Sequence, residues 1–329
     1  MALISEKISK NFIGHVNIVK VLINSLKMSN YTGAWILKGP KGIGKAYLAK
    51  EILANIFNIG NKNNRLLHPD LMILKKSEDN KKFIPVEEVR KVSLFLSKTS
   101  IAGKNKSILI DSITDLNNFG HNALLKTLEE HQTYTSFFLI DHMNNDIPIT
   151  LRSRCRTIIF QKLHYKDIIN YLNSSSIEKS CHRPYAILSN GSIGEIDNLH
   201  KHKALEIHDA YCNYIIGIIN QSNEIKQIKK LFINKKNNSK IYSISFLILF
   251  RFFKNTLKKI NSLEITYINT IEEKLVDVLT KYLKYDEIVF LLNCLYSQKE
   301  NMLKYNLETF TSIYLILNNL EKLIKKNAK

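Results

Sequence analysis

The sequence of this 329-residue chain predicts an α/β fold, a parallel sheet with helices on both faces, followed by an all-helical region. Up to about residue 165, short apolar runs rich in β-branched or aromatic residues alternate with helical patterns, which is typical of a parallel sheet. Beyond that point the strand patterns stop, and helical patterns follow one another to the end of the chain. Hydrophobic residues make up 45% of the chain, enough to fill the cores of two or three units.

Five strands are predicted, at 34–38, 71–74, 107–111, 136–141 and 157–160. Apolar residues at i, i+3, i+4 and i+7 predict helices between them, at 17–26, 45–57, 86–96 and 118–130. Later segments include a helix from 166, a turn at 190–192, a buried helix over 246–253, and solvated connections at 235–239 and 298–301. The predicted domains are an α/β domain over 1–164, a small helical domain over 165–205 and a larger helical domain over 206–329.

Composition narrows the class of protein. No signal peptide or membrane-length apolar run is present, so we expect a cytoplasmic chain that does not contact a membrane. Four scattered cysteines, without a C-x-x-C pair, encode neither a zinc ribbon nor a disulfide framework. The formal charge of +19 favours a polyanionic partner such as DNA, but a lysine-rich composition also follows from an AT-biased genome, so both explanations stay open.

Residues 39–46 read Gly-Pro-Lys-Gly-Ile-Gly-Lys-Ala, which is a phosphate-binding loop (P-loop) with one departure. In such a loop, backbone N–H groups wrap the phosphates at a helix N-terminus and a lysine neutralises their charge. Gly39, Pro40, Gly42, Gly44 and Lys45 are therefore candidate nucleotide-binding residues. The last position of the loop is Ala46, where a hydroxyl that binds Mg²⁺ is expected.

The second half of an ATPase site is a strand that ends in Asp-Glu. The aspartate helps to hold Mg²⁺, and the glutamate positions the attacking water. The matching strand ends in Asp111, a further candidate nucleotide-site residue, and Ser112 stands in place of the glutamate. Without a hydroxyl at Ala46 and a carboxylate at 112, hydrolysis of ATP by this chain is not expected.

Three arginines occur within residues 152–156, just before the last predicted strand. A solvated basic turn is the ordinary explanation of such a cluster. At the edge of an α/β ATPase domain, however, a guanidinium can reach the γ-phosphate of a nucleotide bound by a neighbouring subunit. Arg154, flanked by Ser153 and Cys155, is the candidate for this role.

Four segments carry a family resemblance, in the order and spacing of that family: Gly-Pro-Lys-Gly-Ile-Gly-Lys at 39–45, His-Pro-Asp-Leu at 68–71, Asn-Ala-Leu-Leu-Lys-Thr-Leu-Glu-Glu at 122–130 and Ser-Arg-Cys at 153–155. With these segments the chain resembles the bacterial clamp-loader subunits of the AAA+ class, which serve the DNA polymerase III holoenzyme. The resemblance covers residues 1 to about 200 well, and the helical remainder only in length and class.

The resemblance implies a stator subunit at one end of a pentameric ring, with Arg154 as an arginine finger for ATP held by the adjacent motor subunit. It also implies that the helical domain over 165–205 is a lid and that the one over 206–329 is a collar for oligomerisation. The implied partners are the motor subunits and the delta subunit, with the sliding clamp and primer-template DNA engaged through the assembled complex. No cofactor is required, and binding of ATP or ADP is left open. Gly194 lies where active relatives carry a nucleotide-sensing arginine, which also indicates an inactive site.

Two departures from the family pattern stand out. Residues 58–68 lack the four-cysteine zinc module of many members, so no zinc or other metal is expected, and His131 replaces the usual proline after Glu130. Two rival functions remain from the sequence alone: an active AAA+ ATPase, which the retained Lys45 would allow, and a DNA-binding module that uses the basic charge.

Overall fold

The computed structural model describes residues 12–59, 67–76, 83–101, 105–130, 134–143, 147–219, 225–232, 238–305 and 307–328. The chain divides into two compact units. The first comprises Met1–Ser176 with Asn190–Gly194, and the second comprises Ile177–Ser189 with Glu195–Lys329. Within the described ranges, no helix is both long and apolar enough to cross a membrane.

A five-stranded parallel sheet forms the centre of the first unit, and it confirms all five predicted strands. The strands are β1 (Gly33–Lys38), β2 (Leu71–Lys75), β3 (Lys106–Asp111), β4 (Thr135–Asp141) and β5 (Arg156–Ile159). Their spatial order is β2-β3-β4-β1-β5. Lys38 pairs with Asp141, and Asp111 pairs with Ile140, so β1, β3 and β4 end at the same edge of the sheet.

Helices cover both faces of this sheet, as predicted. They are α1 (Val16–Met28), α2 (Lys45–Ile56), α3 (Val86–Ser97), α4 (Asn118–Glu130), α5 (Ile149–Arg152) and α6 (Tyr165–Asn173). In β1, Trp35 and Leu37 pack with apolar residues of α1 and α2, whereas Ile36 packs on the other face with residues of α3 and α4. This alternation follows from the two-residue period of a strand, which sends successive side chains to opposite faces.

The second unit is helical, as the sequence predicts for the C-terminal region. It contains α7 (His182–Leu188), most of α8 (Ile193–Lys201), α9 (Ala204–Ile219), α10 (Ile225–Leu231), α11 (Asn238–Ile260), α12 (Thr270–Tyr282), α13 (Tyr285–Tyr305) and α14 (Thr309–Asn327). None of residues 246–253 on α11 is exposed, in keeping with the buried helix expected there. The division into three domains remains a prediction.

The loops were predicted less well than the helices and strands. The turn at 190–192 is confirmed, with positive φ at Asn190 and Gly191. The connection predicted at 298–301 is wrong, because these residues continue α13. Of the connection predicted at 235–239, residues 238 and 239 begin α11, and the others lie outside the described residues. His131 and residues 60–66 also lie outside them.

An ion pair inside the helical unit joins α11 to α12. Glu272 is fully buried and accepts hydrogen bonds from Nε of Arg251 at 2.7 Å, Nδ2 of Asn255 at 3.1 Å and the backbone N–H of Ile268 at 2.6 Å. The carboxylate therefore has the several hydrogen bonds that a charge needs when it is removed from water. It also fixes the segment that leads into α12, whose first turn is capped by Asn269.

We predict that Glu272→Ala lowers the free energy of unfolding by about 3–5 kcal/mol, because the Arg251 guanidinium would be left without its buried partner. Chemical denaturation followed by circular dichroism measures this difference. Glu273→Ala is the matched control, since Glu273 is exposed on the same helical turn. Equal stability of the two variants would contradict a structural role for the ion pair.

Candidate functional site

The P-loop connects β1 to α2 at the edge of the sheet where β1, β3 and β4 end. Two of its glycines are required by close approaches. A Cβ atom on Gly39 would lie 2.3 Å from the carbonyl oxygen of Phe160, and one on Gly44 would lie 2.8 Å from the ring of Phe12. Gly44 also has a φ of 97°, which side-chain-bearing residues rarely adopt.

The Lys45 side chain is buried and turned into its own loop. Its Nζ donates a hydrogen bond to the carbonyl oxygen of Gly39 at 2.6 Å and another to that of Pro40. Burial lowers the pKa of Lys45 to about 8, although the carboxylates of Asp141 and Asp111 oppose the shift. The group that would neutralise a phosphate is therefore engaged with backbone carbonyls.

The two substituted positions lack the groups that bind Mg²⁺ and position the attacking water in an ATPase. Ala46 offers a methyl group, which packs against the apolar cluster under α2. Ser112 is buried, and its hydroxyl bonds to Thr114 Oγ1 at 2.8 Å and to the carbonyl oxygen of Ile140 at 2.9 Å. A short buried hydroxyl held in this way cannot replace the longer glutamate that positions the attacking water.

Asp111 lies at the tip of β3, as predicted, and it meets a residue that the sequence analysis missed. His142, which directly follows β4, places its Nε2 3.7 Å from Oδ1 of Asp111. Burial lowers the pKa of His142, and the nearby charge of Lys45 lowers it further.

Across the described part of the chain, no group of three or more His, Cys, Asp or Glu side chains could hold a metal ion.

A turn of the predicted lid closes over the P-loop. Ser192 Oγ donates to the carbonyl oxygen of Lys41 at 3.1 Å, and the N–H of Gly194 donates to that of Gly42 at 2.8 Å. A Cβ atom on Gly194 would lie 3.1 Å from Cα of Gly42, so a side chain there would require the turn and the loop to separate by a few tenths of an ångström. A nucleotide-sensing arginine at position 194 would not fit this arrangement without such a shift.

A cavity of about 510 Å³ adjoins the P-loop and is mostly apolar. The cavity is of a size that suits a small organic ligand. Besides P-loop residues, its lining includes Phe12, Tyr47, His142 and Tyr171.

Arg154 lies on the surface of the first unit, in the turn between α5 and β5. Its Nη2 is 2.7 Å from Oε1 of Glu129, and its Nη1 donates to the carbonyl oxygen of Thr150 at 3.0 Å. The side chain remains 39% exposed, so the guanidinium is held at two points and is still accessible. Sequence reasoning missed Glu129, because no local pattern connects it to a residue 25 positions later.

The two neighbours of Arg154 in the Ser-Arg-Cys motif anchor the turn. Ser153 Oγ donates to the carbonyl oxygen of Thr150 at 2.9 Å. Cys155 packs against the apolar cluster between the sheet and α3 and α4, and burial raises its pKa to about 12. Because the thiolate is the nucleophilic form, a thiol with this pKa is inert at neutral pH, and Cys155 is a packing residue here.

Comparison with known proteins identifies relatives of this chain. Residues 14–164 match the family model described as DNA polymerase III, delta subunit. The chain is 29% identical over 220 residues to DNA polymerase III subunit gamma of Buchnera aphidicola subsp. Acyrthosiphon pisum, an alignment that covers 62% of this chain and 60% of the relative.

Two delta' subunits are also similar. One, from Buchnera aphidicola subsp. Baizongia pistaciae, is 26% identical over 74% of this chain and 77% of its own length. The other, from Pseudomonas aeruginosa, is 34% identical over 39% of this chain and 42% of its own length. The chain thus spans 60% of the length of the Acyrthosiphon pisum strain's gamma subunit, and a smaller share of the Pseudomonas protein.

We predict that the stability contribution of Lys45 changes between pH 8 and pH 10. Below about pH 8 the buried ammonium destabilises the fold; above it the folded chain has released the proton, whereas the unfolded lysine, with a pKa of 10.5, retains it. The free energy of unfolding of the wild type, relative to Lys45→Met, should therefore rise with pH by at most about 1.4 kcal/mol per unit.

Denaturant unfolding of both proteins at each pH measures this difference. Lys41→Met removes one positive charge from the same loop at an exposed position and serves as the control. A pH-independent difference between the wild type and Lys45→Met would show that the ammonium is not buried as described.

Proposed function

Because the chain is a member of the DNA polymerase III clamp-loader family, we propose that it is the delta-prime type of subunit, a stator that does not hydrolyse ATP. In this role Arg154 acts in trans on ATP bound by a neighbouring motor subunit. The observation that carries the proposal is a contrast within one domain: the chain's own P-loop lacks catalytic groups, whereas the guanidinium of Arg154 is held in place at the accessible surface.

The first half of the proposal concerns the chain's own P-loop. Ala46 cannot bind Mg²⁺, and Ser112 lies buried in hydrogen bonds to Thr114 and Ile140. Phosphoryl transfer depends almost entirely on positioning and electrostatic stabilisation, so the loss of both groups removes the means of hydrolysis in cis. ATP or ADP binding is not required by this role; a nucleotide at this P-loop would need Lys45 to leave the carbonyls of Gly39 and Pro40.

The second half concerns the reaction in the neighbour. As the γ-phosphoryl group is transferred, negative charge spreads over its oxygens, and a planar guanidinium stabilises that charge with paired hydrogen bonds. We propose that the motor subunits bind ATP, that the ring then gains affinity for the sliding clamp and primer-template DNA, and that Arg154 couples hydrolysis to their release. The delta subunit and the motor subunits are the direct partners in this scheme.

The helical unit is proposed to serve as the collar that joins subunits. Support comes from large apolar side chains exposed on two helices that pack on each other, since exposed apolar surface of this kind is often covered by a partner. They are Phe290 and Tyr296 on α13, and Tyr314 and Leu315 on α14.

The alternative function is an active AAA+ ATPase. The observations in its favour are the similarity to gamma subunits and the retained Lys45. We predict that the purified chain alone shows no ATP turnover above background, because Ala46 and Ser112 supply neither a metal ligand nor a general base. Phosphate release measured with and without Lys45→Ala checks this. Turnover that Lys45→Ala abolishes would establish the alternative.

A plain DNA-binding module is the third hypothesis, and it rests on the net charge of +19. It requires the isolated chain to bind primed DNA with an affinity that falls steeply with salt, roughly micromolar or tighter. Binding that appears only after motor subunits and ATP are added would eliminate it.

For the reconstituted loader we predict that Arg154→Ala lowers the clamp-stimulated, DNA-dependent ATPase rate by at least about tenfold, with near-normal assembly. Arg152→Ala is the matched control, because Arg152 is exposed on the same turn. Steady-state ATPase assays and size-exclusion chromatography give the two readouts. An unchanged ATPase rate in Arg154→Ala would remove the arginine finger from the mechanism.

A further inference from the structure

We propose that Glu129 is the positioning residue that holds Arg154 in the geometry needed to reach a phosphate on a neighbouring subunit. This inference rests on the proposed function and extends it to a residue outside the Ser-Arg-Cys motif. Glu129 would not touch the nucleotide; it acts through the guanidinium that it binds.

The contact fixes the guanidinium from two elements of the fold. Glu129 lies in the last turn of α4 and binds Nη2 at 2.7 Å, while the carbonyl oxygen of Thr150 on α5 binds Nη1 at 3.0 Å. Two bonds to different nitrogens set the plane of the group as well as its position. The guanidinium carries more N–H donors than these two bonds use, so the others remain for phosphate oxygens.

Both supports are themselves rigidly placed. On α4, Leu124 and Leu128 are buried in the cluster that packs on the sheet, and on α5, Leu151 is buried in the same cluster. The exposed finger is therefore tied to the core through its two partners. An arginine side chain loses considerable rotamer entropy when it is fixed. Because Glu129 and Thr150 already order the side chain, less of this entropy is lost when the nucleotide is contacted.

The charges agree with a positioning role. Near the C-terminal end of α4, the helix carbonyls stabilise the cationic guanidinium of Arg154. They do not stabilise the Glu129 carboxylate, whose charge is stabilised by the guanidinium. Glu129 is 46% exposed, and a half-exposed pair of this kind contributes little to the stability of a folded chain. Substitution of Glu129 should therefore leave folding intact and alter the finger alone.

A latch is the opposite possibility, in which Glu129 competes with the phosphate and withholds Arg154 until the subunits meet. The two roles differ in sign. Removing a positioning residue slows hydrolysis, whereas removing a latch accelerates it. We favour positioning because Glu129 occupies one nitrogen of the guanidinium and leaves the accessible part of the group uncovered.

The test compares Glu129→Ala, Glu129→Gln, Arg154→Ala and the double variant in the reconstituted loader with clamp and primed DNA. We expect Glu129→Ala to lower kcat for ATP about five- to twentyfold while KM changes less than about twofold, because misplacement of a catalytic group acts on the chemical step. Glu129→Gln keeps an oxygen that accepts from Arg154 and should recover much of the rate. Glu130→Ala is the control, since Glu130 is the exposed neighbour that faces Lys126 at 3.8 Å.

The double variant separates direct from indirect action. If Glu129 acts only through Arg154, the double variant should be no slower than Arg154→Ala. Additive losses, a wild-type rate in Glu129→Ala, or a faster rate in that variant would each overturn the inference while leaving the arginine finger in place. A wild-type rate in Arg154→Ala would instead refute the proposed function itself.

Discussion

The parallel sheet with both faces buried is the constraint on which the rest of the first unit depends. Because side chains of β1 alternate between two apolar clusters, a one-residue slip against β4 and β5 would move Trp35 and Leu37 to the face where Ile36 now packs. That register brings the ends of β1, β3 and β4 to one edge, with Lys38 opposite Asp141. The P-loop and the tip of β3 therefore meet there whether or not the site is still able to catalyse hydrolysis.

A nucleotide site and an arginine finger place different demands on this scaffold. Hydrolysis requires several groups to converge at the sheet edge, and two of them are replaced here, by Ala46 and Ser112. A finger requires only one cation at the surface, supported by a rigid base. Under the proposed function, the same core serves the second task without the first, which would explain how the fold is kept around a P-loop whose lysine is turned into its own backbone.

The sequence was sufficient for the strands, the helices of the first unit and the positions of the P-loop and Arg154, because each depends on local periodicity or a short motif. It failed at 298–301, where four polar residues look like a connection but continue α13. There Lys299 lies over the ring of Phe246, with its Nζ 4.6 Å from the centroid, a tertiary contact that no local pattern encodes. The Glu129–Arg154 pair and the place of His142 escaped prediction for the same reason.

The closed lid turn and the buried Lys45 have a common physical origin. The carbonyl oxygens of Gly39 and Pro40 accept from the Lys45 ammonium, and those of Lys41 and Gly42 accept from the lid turn. The bond to Gly39 satisfies a buried carbonyl oxygen, which would cost about 1–3 kcal/mol if it were left without a partner. Glycine at 194 permits the approach, since a Cβ atom there would press on Gly42. These bonds fix the P-loop from within the protein, which agrees with the proposed role, in which the nucleotide cycle takes place in a neighbouring subunit.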